Sequence, residues 1–176
     1  MLPGRVVFFL LMFLSGFSYA AEGMNNYQLG VGDNIKIQVY GEDELSMEVR
    51  ISDSGTISYP FLGNISVAGK TIGQLESSIK SGLANGYLVD PNVNVAILEY
   101  RQFFMNGEVE KPGAYPYQPG LTLQKAISIA GGMTERASAG KMYITHDGQS
   151  ADDAKRASMN DVISPGDTVT INQSFF

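Results

Sequence analysis

The chain has 176 residues, a formal net charge of −6 and no cysteine. That length suits one domain core or two small ones packed together. The acidic balance argues against nucleic acid as a partner, since a phosphate backbone asks for the opposite sign, and without thiols the fold has to be held by packing alone.

In chain order, Val6 to Phe17 is almost wholly apolar behind Arg5, and Ser18-Tyr19-Ala20 sets small residues where a signal peptidase reads. The run is short for a bilayer span, so residues 1–20 are expected to be an export signal cleaved after Ala20; an uncleaved anchor is the competing reading. Ala21 follows where a lipoprotein has its acylated cysteine, so no lipid anchor is expected at that site.

From Tyr27 the pattern turns to short strands. "NIKIQVY" alternates Ile35, Ile37 and Val39 against Lys36 and Gln38, which predicts a half-buried strand. "MEVRI" does the same with Met47, Val49 and Ile51, and "DSG" at 53–55 suggests a hairpin returning through "TISYP". Thr71 with Gln74 three residues on is a capping-box pattern, and Ile72, Leu75, Ile79 and Leu83 then share one helical face. Asn85-Gly86 ends that helix. "NVNVAIL" reads as a strand entered through an extended Asp90-Pro91 step.

A second unit starts near Gln102. "FFMNGEV" and "AYPY" read as strands joined across Glu110-Lys111-Pro112-Gly113. Thr122 caps a short helix with Leu123, Ala126, Ile127 and Ala130 on its apolar side, Gly131-Gly132 stops it, and "KMYIT" and "DTVTI" supply two more strands. "LGVGDNIKI" at 29–37 echoes "ISPGDTVTI" at 163–171. Either Gly-Asp is simply a good turn before a strand, or the two strands open and close the ordered region in similar surroundings.

Reactive chemistry is sparse. His146, the single histidine, sits by Asp147-Gly148 and reads as an exposed turn residue; no G-x-S-x-G elbow accompanies it. The dense carboxylates, Glu42-Asp43-Glu44 and Asp152-Asp153, lie in polar connections where a solvated turn is the default, although Asp33 or Glu99 in a glycosidase-like pair stays open. No metal-ligand spacing, P-loop or dinucleotide fingerprint is present, so catalytic, cofactor and metal residues are all expected to be none. Tyr87, Tyr100, Phe103, Phe104, Tyr115 and Tyr117 are available to stack on sugars, but their strand spacing favours packing.

Four stretches taken together resemble a known family. "YQLGVGDNIKIQVYGEDELS" (27–46), "VRISDSGTISYPFLGNISVAGKTIGQLESSI" (49–79) and "LVDPNVNVAILEY" (88–100) are similar to the bacterial polysaccharide export domain. "NGEVEKPGAYPYQPGLTLQKAISIAGGMTERA" (106–137) resembles the soluble-ligand-binding β-grasp (SLBB) module that follows it in that family. The resemblance implies an α+β chain: a small mixed-sheet polysaccharide export domain at 24–100, then a β-grasp-like SLBB domain at 101–176. It implies structural motif positions at Gly32, Asp33, Gly55, Pro60, Gly63 and Pro91 in the first unit. In the second they are Gly107, Val109, Pro112, Gly113, Tyr115, Thr122, Ala130, Gly131, Gly132, Pro165, Gly166 and Asp167. Pro112-Gly113, Pro119-Gly120 and Gly131-Gly132 would then fix the turns around one helix.

The function implied is capsule or exopolysaccharide export across the cell envelope by a non-enzymatic, periplasmic, ring-forming homo-oligomer, peripherally associated with the outer membrane. The partners implied are the polysaccharide chain, an inner-membrane polysaccharide co-polymerase and a separate outer-membrane pore protein. This would be a short form, because neither the lipid-bearing cysteine nor a C-terminal membrane helix is read. A monomeric periplasmic sensor of a sugar or other small ligand is the alternative, and an enzyme acting on the polymer a third reading.

Overall fold

The computed structural model describes residues 27–174. The export-signal expectation, with its cleavage at Ala20, lies outside the described residues.

Alternation in the first unit becomes a three-stranded antiparallel sheet. β1 (Asn34–Val39) lies between β2 (Met47–Arg50) and β5 (Val93–Glu99). Register sets Ile35 opposite Val49 and Ile97, and Ile37 opposite Met47 and Val95. The apolar side chains therefore gather on one face, as a period of two requires. α1 (Ile72–Ala84) packs on that face. Leu75, Ile79 and Leu83 are fully buried, each contributing about 1.5–3 kcal/mol by removal from water. Its capping box forms in full: Gln74 N–H donates to Thr71 Oγ1 at 3.3 Å, and Thr71 N–H donates to Gln74 Oε1 at 2.9 Å. Gly86, at φ 99°, makes the left-handed exit.

Three local expectations fail. β3 (Thr56–Tyr59) does not pair with β2; it forms a separate two-stranded sheet with β4 (Gly63–Ser66), a strand the sequence pattern did not reveal. The Ser52–Gly55 turn exists, with Gly55 N–H donating to Ser52 O at 2.8 Å. Beyond it, however, the Gly55 carbonyl accepts from Val67 and Ala68, which carries the chain away from β2. Asp90 is not extended; it has φ 51°, in the left-handed region, and its carboxylate meets Lys80 at 3.1 Å. Parallel pairing, finally, falls in the second unit and not in the first.

The second core is a five-stranded mixed sheet in the order β7-β6-β10-β8-β9. These are β6 (Phe103–Gly107), β7 (Gly113–Tyr115), β8 (Ala137–Thr145), the short β9 (Lys155–Arg156), also unforeseen, and β10 (Thr168–Gln173). β6 and β10 run parallel at the centre. α2 (Leu123–Ile129) brings Leu123, Ala126 and Ile127 into one buried cluster with Phe103, Met105, Ile144, Val169 and Ile171. The chain is thus α+β, with one helix on a sheet in each of two separate cores.

Candidate functional site at the junction of the two cores

Only two polar or charged residues are buried among those described, Asp33 and Asp167. They belong to the two halves of the sequence echo, and the structure sets them in matching turns. Asp33 Oδ2 accepts from Gly30 N–H at 2.8 Å, and Asp167 Oδ2 accepts from Ser164 N–H at 2.8 Å. Gly32 and Gly166, one residue earlier, have φ of 90° and 88°. A carboxylate that satisfies the backbone of its own turn gains an interior position at lower cost.

Arg101, in the short connection between β5 and β6, joins the two turns. Its backbone N–H donates to Asp33 Oδ1 at 2.7 Å, and its Nη1 donates to Asp33 Oδ2 at 3.1 Å and to the Tyr27 hydroxyl at 2.7 Å. Tyr27 O–H in turn donates to Asp33 at 2.6 Å. On the other side, Arg101 Nε lies 3.0 Å from Asp147 Oδ2, an ion pair whose direction falls short of a hydrogen bond. The guanidinium fills the space where Gly30 and Gly166 have no side chain; a Cβ on Gly166 would stand 2.8 Å from Nε. Burial and the bond to Asp33 push the Tyr27 phenol well above its ordinary pKa, so it acts there as a donor.

Aromatic rings continue the junction. Tyr27, Tyr100 and Tyr117 form an edge-to-face chain with centroids 5.1 and 5.3 Å apart, running from the first core to the second. Burial raises the pKa of Tyr100 and Tyr117 as well.

His146 is more than a turn residue. Its Nδ1 lies 3.1 Å from Asp167 Oδ1, so the buried acid has a partner besides its own turn. A lone histidine in a sequence carries no sign of such a contact, and the reading of His146 as an exposed turn residue missed it; the Gly-Asp echo marks the Asp167 turn but not its partner. Arg101 was missed for the same reason: a single basic residue between strands has no pattern.

The remaining motif positions fall in turns, caps and close contacts of the two cores. Gly55 is buried at φ 72°, where a Cβ would lie 2.8 Å from that of Ala68. Pro60 and Gly63 flank the β3–β4 turn, and buried Pro91 precedes β5. Gly107 closes β6 where a side chain would strike the Ile171 carbonyl. Val109 is buried and bridges to Met133, while Glu110 N–H donates to Gly132 O and Lys111 N–H to Ala130 O, tying Gly131 and its neighbours to the β6–β7 turn. Past Pro112 and Gly113, Tyr115 stacks on Phe103 at 5.8 Å, and Thr122 caps α2. Pro165 is buried beside Gly166 and Asp167. The dense carboxylates do not converge: Asp43 and Glu44 are exposed in one 3₁₀ turn, and Asp153 caps its own turn at Ser150.

A cleft of about 860 Å³ opens at the junction, with Tyr100, Arg101 and Gln102 among its lining. A smaller one, against Tyr27, His146 and Asp167, reaches the other side of Arg101 and Tyr117. No described helix is long and apolar enough to cross a membrane, and among the described residues no group of three or more histidine and carboxylate side chains is disposed to hold a metal.

Two family models match the chain. Residues 21–98 match the family described as polysaccharide biosynthesis/export protein, and residues 102–158 match the SLBB domain. Relatives include the exopolysaccharide production protein ExoF of Rhizobium meliloti (strain 1021), 32% identical across 84% of this chain and 38% of that protein. The EPS I polysaccharide export outer membrane protein EpsA of Ralstonia nicotianae is 28% identical across 84% of this chain and 47% of its own length. The polysialic acid transport protein KpsD of Escherichia coli is 29% identical across 66% of this chain and 21% of that protein. The chain spans less than half the length of these relatives. The chain thus carries a polysaccharide biosynthesis/export domain followed by an SLBB domain, each with its own core and with Arg101 in the connection between them.

Proposed function

We propose that this protein is a non-catalytic component of capsule or exopolysaccharide export across the cell envelope. It acts in the periplasm, at the face of the outer membrane, as an oligomeric scaffold or conduit. The observation that carries this reading is the pairing of an export domain with an SLBB domain in a chain whose relatives are named for polysaccharide production, export and transport. The junction supports it: buried charges are spent on holding two cores together, which serves shape and not turnover. Repeated copies of such a stiff protomer form a ring when the contact between them closes. A polysaccharide chain, an inner-membrane co-polymerase and a separate outer-membrane pore protein are the partners this role calls for.

Deletion of the gene, with surface and secreted polysaccharide measured, tests the reading. Loss of one polymer is expected; unchanged export of every polymer would remove it. Sedimentation of the purified chain with its membrane partners distinguishes the sensor alternative, in which the protein stays monomeric.

A further inference from the structure

We propose that the junction cleft beside Arg101 binds a segment of neutral saccharide. This rests on the export reading for its biological meaning, but its chemistry is argued from the cleft itself.

Three apolar side chains in the lining keep large exposed areas although they sit in a concavity: Val31 is 41% exposed, Leu98 44% and Phe104 42%. Neither core claims them. Phe104 alternates with Phe103 and Met105, which face the second core and are fully buried. An apolar surface in a cleft this size, within the range of small-molecule sites, suits the C–H faces of pyranose rings, which stack on aromatic and aliphatic side chains.

The polar lining fits hydroxyl groups. A sugar hydroxyl donates and accepts, so it needs both partners close together. Arg50 and Glu99 offer them side by side, paired at 2.9 Å at the cleft edge. The exposed amide of Gln102 offers both in one group.

Charge then selects the class. The cleft is lined by two cations, and each is committed. Arg50 is bonded to Glu99 and to the Gly32 carbonyl, and Arg101 to Asp33, with Asp147 against its Nε. A carboxylate or phosphate on the ligand would meet the like charges of Glu99 and Asp147, which already neutralise the two cations, a repulsion that hydroxyl groups do not meet. Neutral sugar units therefore fit, and acidic ones are disfavoured. Contacts of this open, partly hydrated kind are weak, which suits a polymer that has to move on.

The test is an amide NMR titration of the purified chain with neutral oligosaccharides of β-linked glucose, galactose and mannose, and with oligogalacturonate as the acidic arm. At least one neutral oligosaccharide should shift the amides of Leu98, Gln102 and Phe104 in a saturable way. Phe104→Ala and Leu98→Ser, both at exposed positions, should each weaken that binding about tenfold or more while leaving the rest of the spectrum in place. Oligogalacturonate should bind more weakly than the best neutral sugar. No saturable shift with any neutral oligosaccharide, equal or tighter binding of oligogalacturonate, or shifts at these amides that follow protein concentration alone would overturn the proposal; the last would assign the cleft to a second copy. Binding that persists when gene deletion leaves export intact would keep the site and remove the export role; deletion that abolishes export without any binding would do the reverse.

Discussion

Asp33 and Asp167, 134 positions apart in sequence, hold equivalent places in two copies of one turn. The equivalence extends past the side chains. Gly32 N–H donates to Ile51 O and Gly166 N–H to Gln102 O, both at 3.0 Å; Asp33 O accepts from Ile51 and Asp167 O from Phe104, both at 2.9 Å. Arg101 lies against both turns, so removing either should be felt at the junction of the cores.

Replacement of Asp33 by Ala leaves the Arg101 guanidinium and three donor groups without that buried acceptor. Loss of one member of a buried pair costs about 3–5 kcal/mol, so the urea midpoint should fall steeply. Asp147→Ala removes the half-exposed partner of the same guanidinium and should cost at most about 1 kcal/mol. Equal losses for the two would contradict the assignment of Asp33 as the principal anchor.

The two glycines nearest Asp147 separate strain from crowding. Gly148 has φ 77° with open space around it, so Gly148→Ala should cost only the left-handed penalty of about 1–2 kcal/mol. Gly166→Ala meets the same penalty and also brings a methyl group within 2.7 Å of the Asp147 carboxyl carbon and 2.8 Å of Arg101 Nε. It should be the more damaging change by thermal denaturation.

Alkaline titration reads Tyr27. Its phenol keeps its proton in the folded chain to a pH well above the ordinary 10.0, chiefly through burial and then through the bond to Asp33. The stabilisation this represents is complete below pH 10.0 and declines as pH rises toward the folded value, because the unfolded chain ionises first. Tyr27→Phe, which loses the hydroxyl bonds, should be less stable by about 1–3 kcal/mol at neutral pH. That gap should narrow above pH 10.0 in denaturation curves collected across the range.

The helix caps differ in quality. Thr71→Ala removes half of a complete capping box and should cost about 0.5–2 kcal/mol. Thr122 accepts from Lys125 N–H at a longer 3.5 Å, so Thr122→Ala should cost less. Chemical denaturation of the two variants checks the order.

Much of this architecture was legible in the chain. Alternation at Ile35, Ile37 and Val39, the Thr71–Gln74 pair and the apolar face of Leu123 to Ala130 each encode a local structure, and each formed. Strand partnership was not legible. Nothing local told "TISYP" to pair with Gly63–Ser66 instead of "MEVRI", because that choice depends on where the Gly55 carbonyl finds its donors. The junction was half visible: the Gly-Asp echo marked its two turns, but the contacts of Arg101 and His146 span tens of residues and leave no periodic trace. Asp90 shows a propensity overruled, since the pairing with Lys80 at the exit of α1 accompanies a backbone that a residue before proline ordinarily avoids.

Arg101 ties the Asp33 turn of the first core to Asp147 of the second, and the export role proposed above depends on that junction. Polysaccharide secreted by a deletion strain carrying Arg101→Leu, expressed to the wild-type level, tests it most directly. Secretion should stay at the level of the deletion strain while the wild-type gene restores it; full restoration by Arg101→Leu would contradict the claim.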